Sequence, residues 1–167
     1  MPHQIRPMQH GDLDAVMAVQ AACYPAPMQE ARAVLEARLH AAAATCVVGC
    51  DDAGICGYLF AYPSRLGAVT DLDAPFAPAA DPDTLYLHDL SVAPRALGRG
   101  LARALVECSL TKGRAAGWHH AALVSVQDSA RFWAGLGFRP VTPVSGGLVT
   151  YPVGALYMVR PLQSIDS

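Results

Sequence analysis

The stretch Leu85-Tyr-Leu-His-Asp-Leu-Ser-Val-Ala-Pro-Arg-Ala-Leu-Gly-Arg-Gly-Leu-Ala-Arg-Ala-Leu105 decides the fold. Its first eight residues, through Val92, are apolar and β-rich and read as a buried strand. From Leu101 to about Arg114 the pattern becomes an Ala/Leu-rich helix with Leu101, Leu105, Cys108 and Leu110 available for its buried side, and Gly117 stops it. Between strand and helix lies Arg95-Ala-Leu-Gly-Arg-Gly100. A strand that turns tightly into a helix gathers several backbone N–H groups at the positive end of the helix dipole, which suits a pyrophosphate. Gly98 and Gly100 let the backbone approach an anion and permit positive φ. Arg95 and Arg99 add charge at the rim.

Around this turn the chain alternates strands and helices. His3 to Pro7 reads as a first strand, Gly11-Asp12 as a helix start, and Leu13, Val16, Met17 and Gln20 as the face of a first helix running to about Cys23. Tyr24-Pro-Ala-Pro27 breaks that helix, because proline lacks an amide proton and restricts the residue before it. A second amphipathic helix is predicted from about Gln29 to Ala43, on Ala31, Val34 or Leu35, Leu39 and Ala42. Thr45 to Cys50 and Ile55 to Tyr62 form a hairpin about Asp51-Asp-Ala-Gly54, and Pro63 to Asp83 reads as a long loop. A strand at Ala121–Val126, a short helix at Ser129–Leu136, and strands at Phe138–Val141 and Ala155–Arg160 about a Gly146-Gly147 turn complete the chain.

Composition narrows the function classes. The chain has 167 residues, 53% hydrophobic and 16% charged, the size and balance of one folded domain. A net charge of -2 without a basic run argues against a nucleic-acid partner. No apolar run approaches the roughly 20 residues that span a bilayer, and the N-terminus lacks a signal-peptide core, so the expectation is a cytoplasmic protein without a membrane partner. Five cysteines without a C-x-x-C pair suggest neither a zinc site nor a disulfide framework and read as buried free thiols. Adjacent His119 and His120 would point to opposite faces of a strand and make a poor metal chelate.

The turn is not G-x-G-x-x-G, it follows the fourth strand rather than the first, and no acidic residue is placed for a ribose, all of which count against a dinucleotide site. Arg95-x-x-Gly98-x-Gly100 instead resembles the R/Q-x-x-G-x-G/A signature of the GNAT N-acetyltransferase superfamily. The resemblance runs from about Gln4 to the C-terminal strand. Its specific parts are Leu85 to Leu105 and Leu123 to Phe138, where Ala130-Arg-Phe-Trp-Ala-Gly-Leu-Gly-Phe138 looks like the family's second CoA-contacting segment. The Leu85–Val92 pattern, with Cys23-Tyr-Pro near the first helix, looks most like the arylalkylamine (serotonin) N-acetyltransferase branch.

That resemblance implies a GNAT-like α/β domain over residues 1–167, a mixed sheet of about seven strands with about four helices on its two faces. It also implies acetyl-CoA as co-substrate and no metal. Leu90, Ser91 and Val92 would lie along the acetyl and pantetheine arm, and Ala96, Leu97, Gly98, Arg99, Gly100 and Leu101 would wrap the pyrophosphate, with Arg95 at the rim. Phe132 and Trp133 belong to the second segment. The implied reaction is direct attack of a small primary amine on the thioester, the protein being a monomer or homodimer. Its rivals are a protein or peptide acetyltransferase, which needs an open groove, a non-catalytic acyl-CoA-binding regulator, and a plain α/β domain whose turn binds nothing.

An alkylamine with a lysine-like pKa of about 10.4 is protonated at neutral pH, so a general base is useful. His88 is the candidate: an imidazole titrates near neutrality, and on an extended strand it shares a face with Leu90. In the arylalkylamine branch the matching strand carries histidines, and here Tyr86 replaces one and would hold a proton-carrying water. Asp89 faces away unless a bulge intervenes, as the family likeness leads one to expect. A strand N–H, that of Leu90, is the natural oxyanion donor. The family commonly has a general-acid tyrosine where this chain has Trp133, whose indole does not titrate usefully. Three readings follow: Trp133 only packs, with the thiolate leaving unaided; Tyr157 or Tyr151 supplies the proton; or the protein binds acyl-CoA without transfer. The long loop and the first two helices are expected to roof the acceptor site. Asp71, Asp73, Asp81 and Asp83 are placed to attract a cation, and Tyr24, Tyr58, Phe60, Tyr62 and Phe76 to line an aromatic-friendly pocket.

Overall fold

The computed structural model describes residues 3–71, 74–126, 128–142 and 147–163. In chain order the elements are β1 (Gln4–Pro7), α1 (Leu13–Cys23), α2 (Arg32–Ala42), β2 (Val47–Asp51), β3 (Gly54–Ser64), β4 (Thr84–Val92), α3 (Leu101–Ala115), β5 (His120–Ser125), α4 (Ala130–Gly135), β6 (Arg139–Pro140) and β7 (Leu156–Pro161), joined in places by short 3-10 turns. The strands form one seven-stranded sheet in the order β1-β2-β3-β4-β5-β7-β6. Every neighbouring pair is antiparallel except β4 and β5, which the α3 crossover makes parallel. The predicted α/β class and the mixed sheet with helices on both faces are what the chain forms.

Each face of the sheet carries its own apolar core. Leu59, Ala61, Leu85 and Leu87 point to one side, where they meet Leu101, Leu105 and Leu110 of α3 and Trp133 of α4. The alternate residues Tyr58, Phe60, Tyr62 and Tyr86 point to the other, against Leu13, Val16 and Val19 of α1 and Leu35 and Leu39 of α2. This is period-two alternation of strands meeting the 3.6-residue period of helices. Close approach of α3 depends on two glycines: a Cβ at Gly49 would lie 2.6 Å from Leu101 Cδ1, and one at Gly57 would lie 3.1 Å from the Ser91 carbonyl. Leu101, the first residue of α3, is thereby seated on the sheet directly after the glycine turn.

Two expectations about the first half need correction. The second helix begins at Arg32, not near Gln29, because Gln29 and Ala31 are extended, with ψ of 135° and 149°. The first helix does begin at Leu13, but Asp12 does not cap it; its carboxylate accepts the Gln9 N–H at 2.8 Å and pairs with Arg6 at 2.7 Å. The long loop is observed, without regular elements among its described residues. Of the expected Gly146-Gly147 turn, Gly146 lies outside the described residues, as does Asp73, and Gly147 opens a 3-10 turn through Thr150.

Truncating Leu101 removes the side chain that fills the space left by both glycines. Leu101→Ala is expected to lower the unfolding free energy by about 2–5 kcal/mol, read from urea denaturation followed by circular dichroism.

Candidate functional site

The site is built where a ladder stops. Parallel pairing of β4 with β5 extends only from Thr84–His120 to Leu87–Leu123, while β5 continues to Ser125 against β7. Past Leu87 the two strands part and a cleft of about 270 Å³ opens between them. Leu90 and Val92 line it from β4, Leu123 and Trp133 from the other side, and Leu97 from the glycine turn. The β4 backbone facing this gap has lost its neighbour strand, and its Leu90 and Val92 carbonyls accept instead from Tyr24 Oη at 3.4 Å and Cys23 Sγ at 3.2 Å.

At the start of α3, Gly98 has φ +79° and Gly100 has φ +78°. No atom lies within 4 Å of a Cβ built at either position, so conformation rather than packing demands glycine. Among the described residues no backbone carbonyl accepts the amides of Gly98, Arg99 or Gly100. The side chains of Ala96 and Leu101 are buried in the core, whereas Leu97 is exposed; the amides of Ala96 and Leu97 already donate to the Ala93 and Pro94 carbonyls. Arg95 is ion-paired with Asp51 of the β2–β3 hairpin, and Arg99 lies 3.9 Å from the same carboxylate. The rim charge expected of the two arginines is thus shared with an acid, and the Arg95 hydrogen bond holds the Asp51 carboxyl below its ordinary range.

The register of β4 against β3 slips at one point. Asp89 pairs with Phe60 and Leu87 with Ala61, leaving His88 without a partner residue. This bulge reverses the alternation. The expectation that His88 shares a face with Leu90 fails for that reason: Leu90 packs into the α3-side core, whereas the His88 ring lies 5.5 Å from Phe76 and 6.2 Å from Tyr86 on the α1/α2 side. Asp89 turns to that same side. It accepts hydrogen bonds from Tyr58 Oη at 2.9 Å and Tyr24 Oη at 3.0 Å, and burial pushes its carboxyl up from the ordinary value. His88 lines both the cleft and a smaller cavity of about 30 Å³, enough for a water, bounded also by Met28, Glu30, Asp89 and Tyr151.

Two residues that sequence reasoning missed complete this arrangement. Glu30, which the apolar periodicity did not single out, is buried, with Oε1 2.6 Å from Arg38 Nη1 and 3.5 Å from His88 Nε2. Gln20 holds its backbone on both sides, accepting the Glu30 N–H at 2.9 Å and donating to the Glu30 carbonyl at 3.0 Å. Arg38 is fully buried; it donates to the Ala74 carbonyl through Nε and Nη2 and lies 5.1 Å above the Phe76 ring. Burial opposes the Glu30 charge, but hydrogen bonding to His88 and Arg38 prevails and lowers its pKa from 4.5 to about 2. The only sequence signal was an arginine at helical spacing among Leu35, Leu39 and Ala42.

The remaining candidates separate. Tyr86 is buried, and its hydroxyl faces that of Tyr151. Tyr151 donates to the Thr70 carbonyl and lines the small cavity. Tyr157, by contrast, lines neither the cleft nor that cavity; its hydroxyl accepts the Gly67 N–H at 2.8 Å, a tie to the long loop. Trp133 packs edge-to-face with Phe132 and Phe138 while one side borders the cleft. Ser91 is buried on the Asp89 side. Among the proposed aromatic lining residues only Tyr24 borders a cavity of the site; Tyr58, Phe60, Tyr62 and Phe76 are core. Asp81 and Asp83 lie near Arg65 and Asp71 is exposed, so none of these three faces the cleft. All five cysteines are free, but only Cys46 and Cys56 are fully buried. Among the described residues no helix is long and apolar enough to cross a membrane, and no cluster of acidic, histidine and cysteine side chains is fit to hold a metal.

A profile of the Acetyltransferase (GNAT) family matches residues 13–138, the greater part of the chain. The chain belongs to this family. It is a GNAT acetyltransferase. Similar solved structures include the GphF GNAT-like decarboxylase in complex with isobutyryl-CoA, at 24% identity and TM-score 0.80, covering 96% of this chain and 100% of that one. The loading GNATL domain of CurA from Lyngbya majuscula has 12% identity and TM-score 0.80, covering 98% and 99%. The ribosomal-protein-S18-alanine N-acetyltransferase from Escherichia coli has 15% identity and TM-score 0.72, covering 98% and 96%. These likenesses establish the fold. No curated protein matches the sequence.

The Glu30 shift has a consequence for acid stability. A carboxyl held near 2 in the fold and near 4.5 when unfolded stabilises the protein above pH 4.5, and that contribution is lost as pH falls toward 2. Urea titrations across this range are expected to show a loss on the order of 3 kcal/mol from this group, absent from the double variant Glu30→Gln/Arg38→Met.

Proposed function

We propose that this acetyltransferase moves the acetyl group to a small primary amine by direct attack, with His88 as general base. The observation that carries the proposal is the meeting of the β4–β5 cleft with a buried imidazole whose Nδ1 has no hydrogen-bond partner among the described residues. The backbone of Leu90, Ser91 and Val92 would run beside the acetyl and pantetheine arm. The amides of Gly98, Arg99 and Gly100 would receive the pyrophosphate, where the open space at Gly98 and Gly100 fits the group, whereas those of Ala96 and Leu97 are already bonded to the Ala93 and Pro94 carbonyls. Leu97, Phe132 and Trp133 supply apolar walls. The amine gives a proton to His88, its nitrogen attacks the thioester carbon, and the C–S bond breaks. A Leu90 N–H would meet the transient oxyanion. Trp133 fits packing better than proton donation, and a thiol pKa near 8.5 makes the thiolate a tolerable leaving group. If a hydroxyl assists, Tyr151 is better placed than Tyr157, since it lines the cavity beside His88.

A small acceptor is favoured over a polypeptide because the space beyond His88 is confined by Tyr24, Met28 and Tyr151, with a vestibule of about 350 Å³ lined by Pro25, Met28 and Val153 outside it. Kinship to the arylalkylamine branch rests on the Leu85–Val92 pattern and on Cys23-Tyr-Pro, whose tyrosine reaches Asp89.

Thiol release from acetyl-CoA across a panel of small amines should give turnover with at least one; release with none, alongside acetylation of peptide N-termini, would sink the small-acceptor proposal. With the best amine, His88→Gln is expected to lower kcat about 10²-fold or more at unchanged acetyl-CoA affinity. Gly100→Ala should cost only about 1 kcal/mol of stability but weaken CoA binding roughly tenfold or more by calorimetry, since a left-handed turn aims the amides.

A further inference from the structure

The charged cluster beneath His88 is larger than a general base requires. We propose that Glu30 is a positioning residue: its carboxylate takes the Nε2–H of His88 and so leaves Nδ1 as the nitrogen that accepts the substrate's proton, while Arg38 and Gln20 hold Glu30 in place. The inference rests on His88 being the base.

Three observations carry it. Glu30 Oε1 lies 3.5 Å from His88 Nε2, long for a hydrogen bond but inside a site where both side chains are at most 5% exposed, so little solvent screens the contact. A carboxylate can only accept, and a neutral imidazole carries one N–H, so pairing with Glu30 puts that N–H on Nε2. Nδ1, buried and without a partner among the described residues, is then a desolvated lone pair. Leaving such a group unpaired costs about 1–3 kcal/mol, a cost relieved when a proton donor arrives.

The polar groups facing the ring come from several elements. Glu30 comes from the segment before α2, Arg38 from α2 and Asp89 from the bulge of β4; the hydroxyls of Tyr24, Tyr86 and Tyr151 complete the surroundings. Two carboxyl groups thus stand against one guanidinium, and that guanidinium is already bound to Glu30 and the Ala74 carbonyl. The ammonium substrate yields one proton to Nδ1, and the imidazolium so formed is stabilised by Glu30. The neutral amine then adds to the thioester carbon, the C–S bond breaks, the sulfur leaves as thiolate and the second amine proton passes to water. His88 returns its proton to water.

A purely structural ion pair, fastening α2 to the sheet, makes a different forecast. In 15N NMR of wild-type protein labelled at histidine, the His88 ring is expected to show a protonated Nε2 and an unprotonated Nδ1; the reverse tautomer overturns the proposal. Glu30→Gln alone strands the Arg38 charge, so the double variant Glu30→Gln/Arg38→Met, which removes both charges at similar volume, is the kinetic test. It is expected to fold, bind acetyl-CoA within about threefold of wild type, lose the single tautomer, and lose roughly 10- to 100-fold in kcat. Wild-type kcat in a folded double variant overturns the role of Glu30. If His88→Gln loses rate while the double variant keeps it, the base stands and only Glu30 falls; full activity of His88→Gln overturns both.

Discussion

The parallel ladder between β4 and β5 ends at Leu87 and Leu123, and the rest of the site follows from that ending. Two strands that part expose backbone N–H and C=O groups on the inner edge of β4, and such groups must find partners. For the Leu90 and Val92 carbonyls those partners are the Tyr24 hydroxyl and the Cys23 thiol. The same parting sets Leu97 of the glycine turn at one side of the cleft and His88 at another, so one topological feature brings both to a single opening.

The bulge at His88 is the second constraint. By inserting an unpaired residue it places His88 and Asp89 on the α1/α2 side and returns Leu90 to the α3 side. An unbulged strand would send Asp89 into the apolar α3-side core, where its charge would find no phenol to bond. Burying a carboxylate and a guanidinium is costly, and a buried ion pair is weak evidence of net stabilisation. The expense at Glu30 and Arg38 is therefore best understood through what the pair faces. Gln20, Ala74 and Phe76 satisfy the groups that the pair leaves over, so α1, α2 and the long loop converge on one imidazole.

Much of this was legible from local pattern. The order of strands and helices follows from hydrophobic period, and the turn before α3 follows from Gly98 and Gly100, since only glycine takes φ near +78° without strain. Trp133 stood out as a departure because the family motif around it is contiguous. Glu30 and Arg38 did not, because periodicity marks apolar residues and assigns charged ones to solvent. Arg38 occupies a core position of α2 and is paired across eight residues of sequence with Glu30. The bulge was expected only by family likeness, since His88-Asp89-Leu90 carries no glycine or proline to announce it.

By itself the sequence determined the α/β class, the place of the glycine turn before α3 and the strand that bears His88, because each depends on spacing within a few neighbouring residues. Tertiary structure alone decided which face His88 takes, which tyrosine reaches the cavity, and which carboxylate stands behind the imidazole. Those outcomes depend on strand register and on the pairing of charges from separate elements. Neither is encoded in any short window; both appear only when the chain closes and each buried polar group must be satisfied by whatever the fold brings beside it.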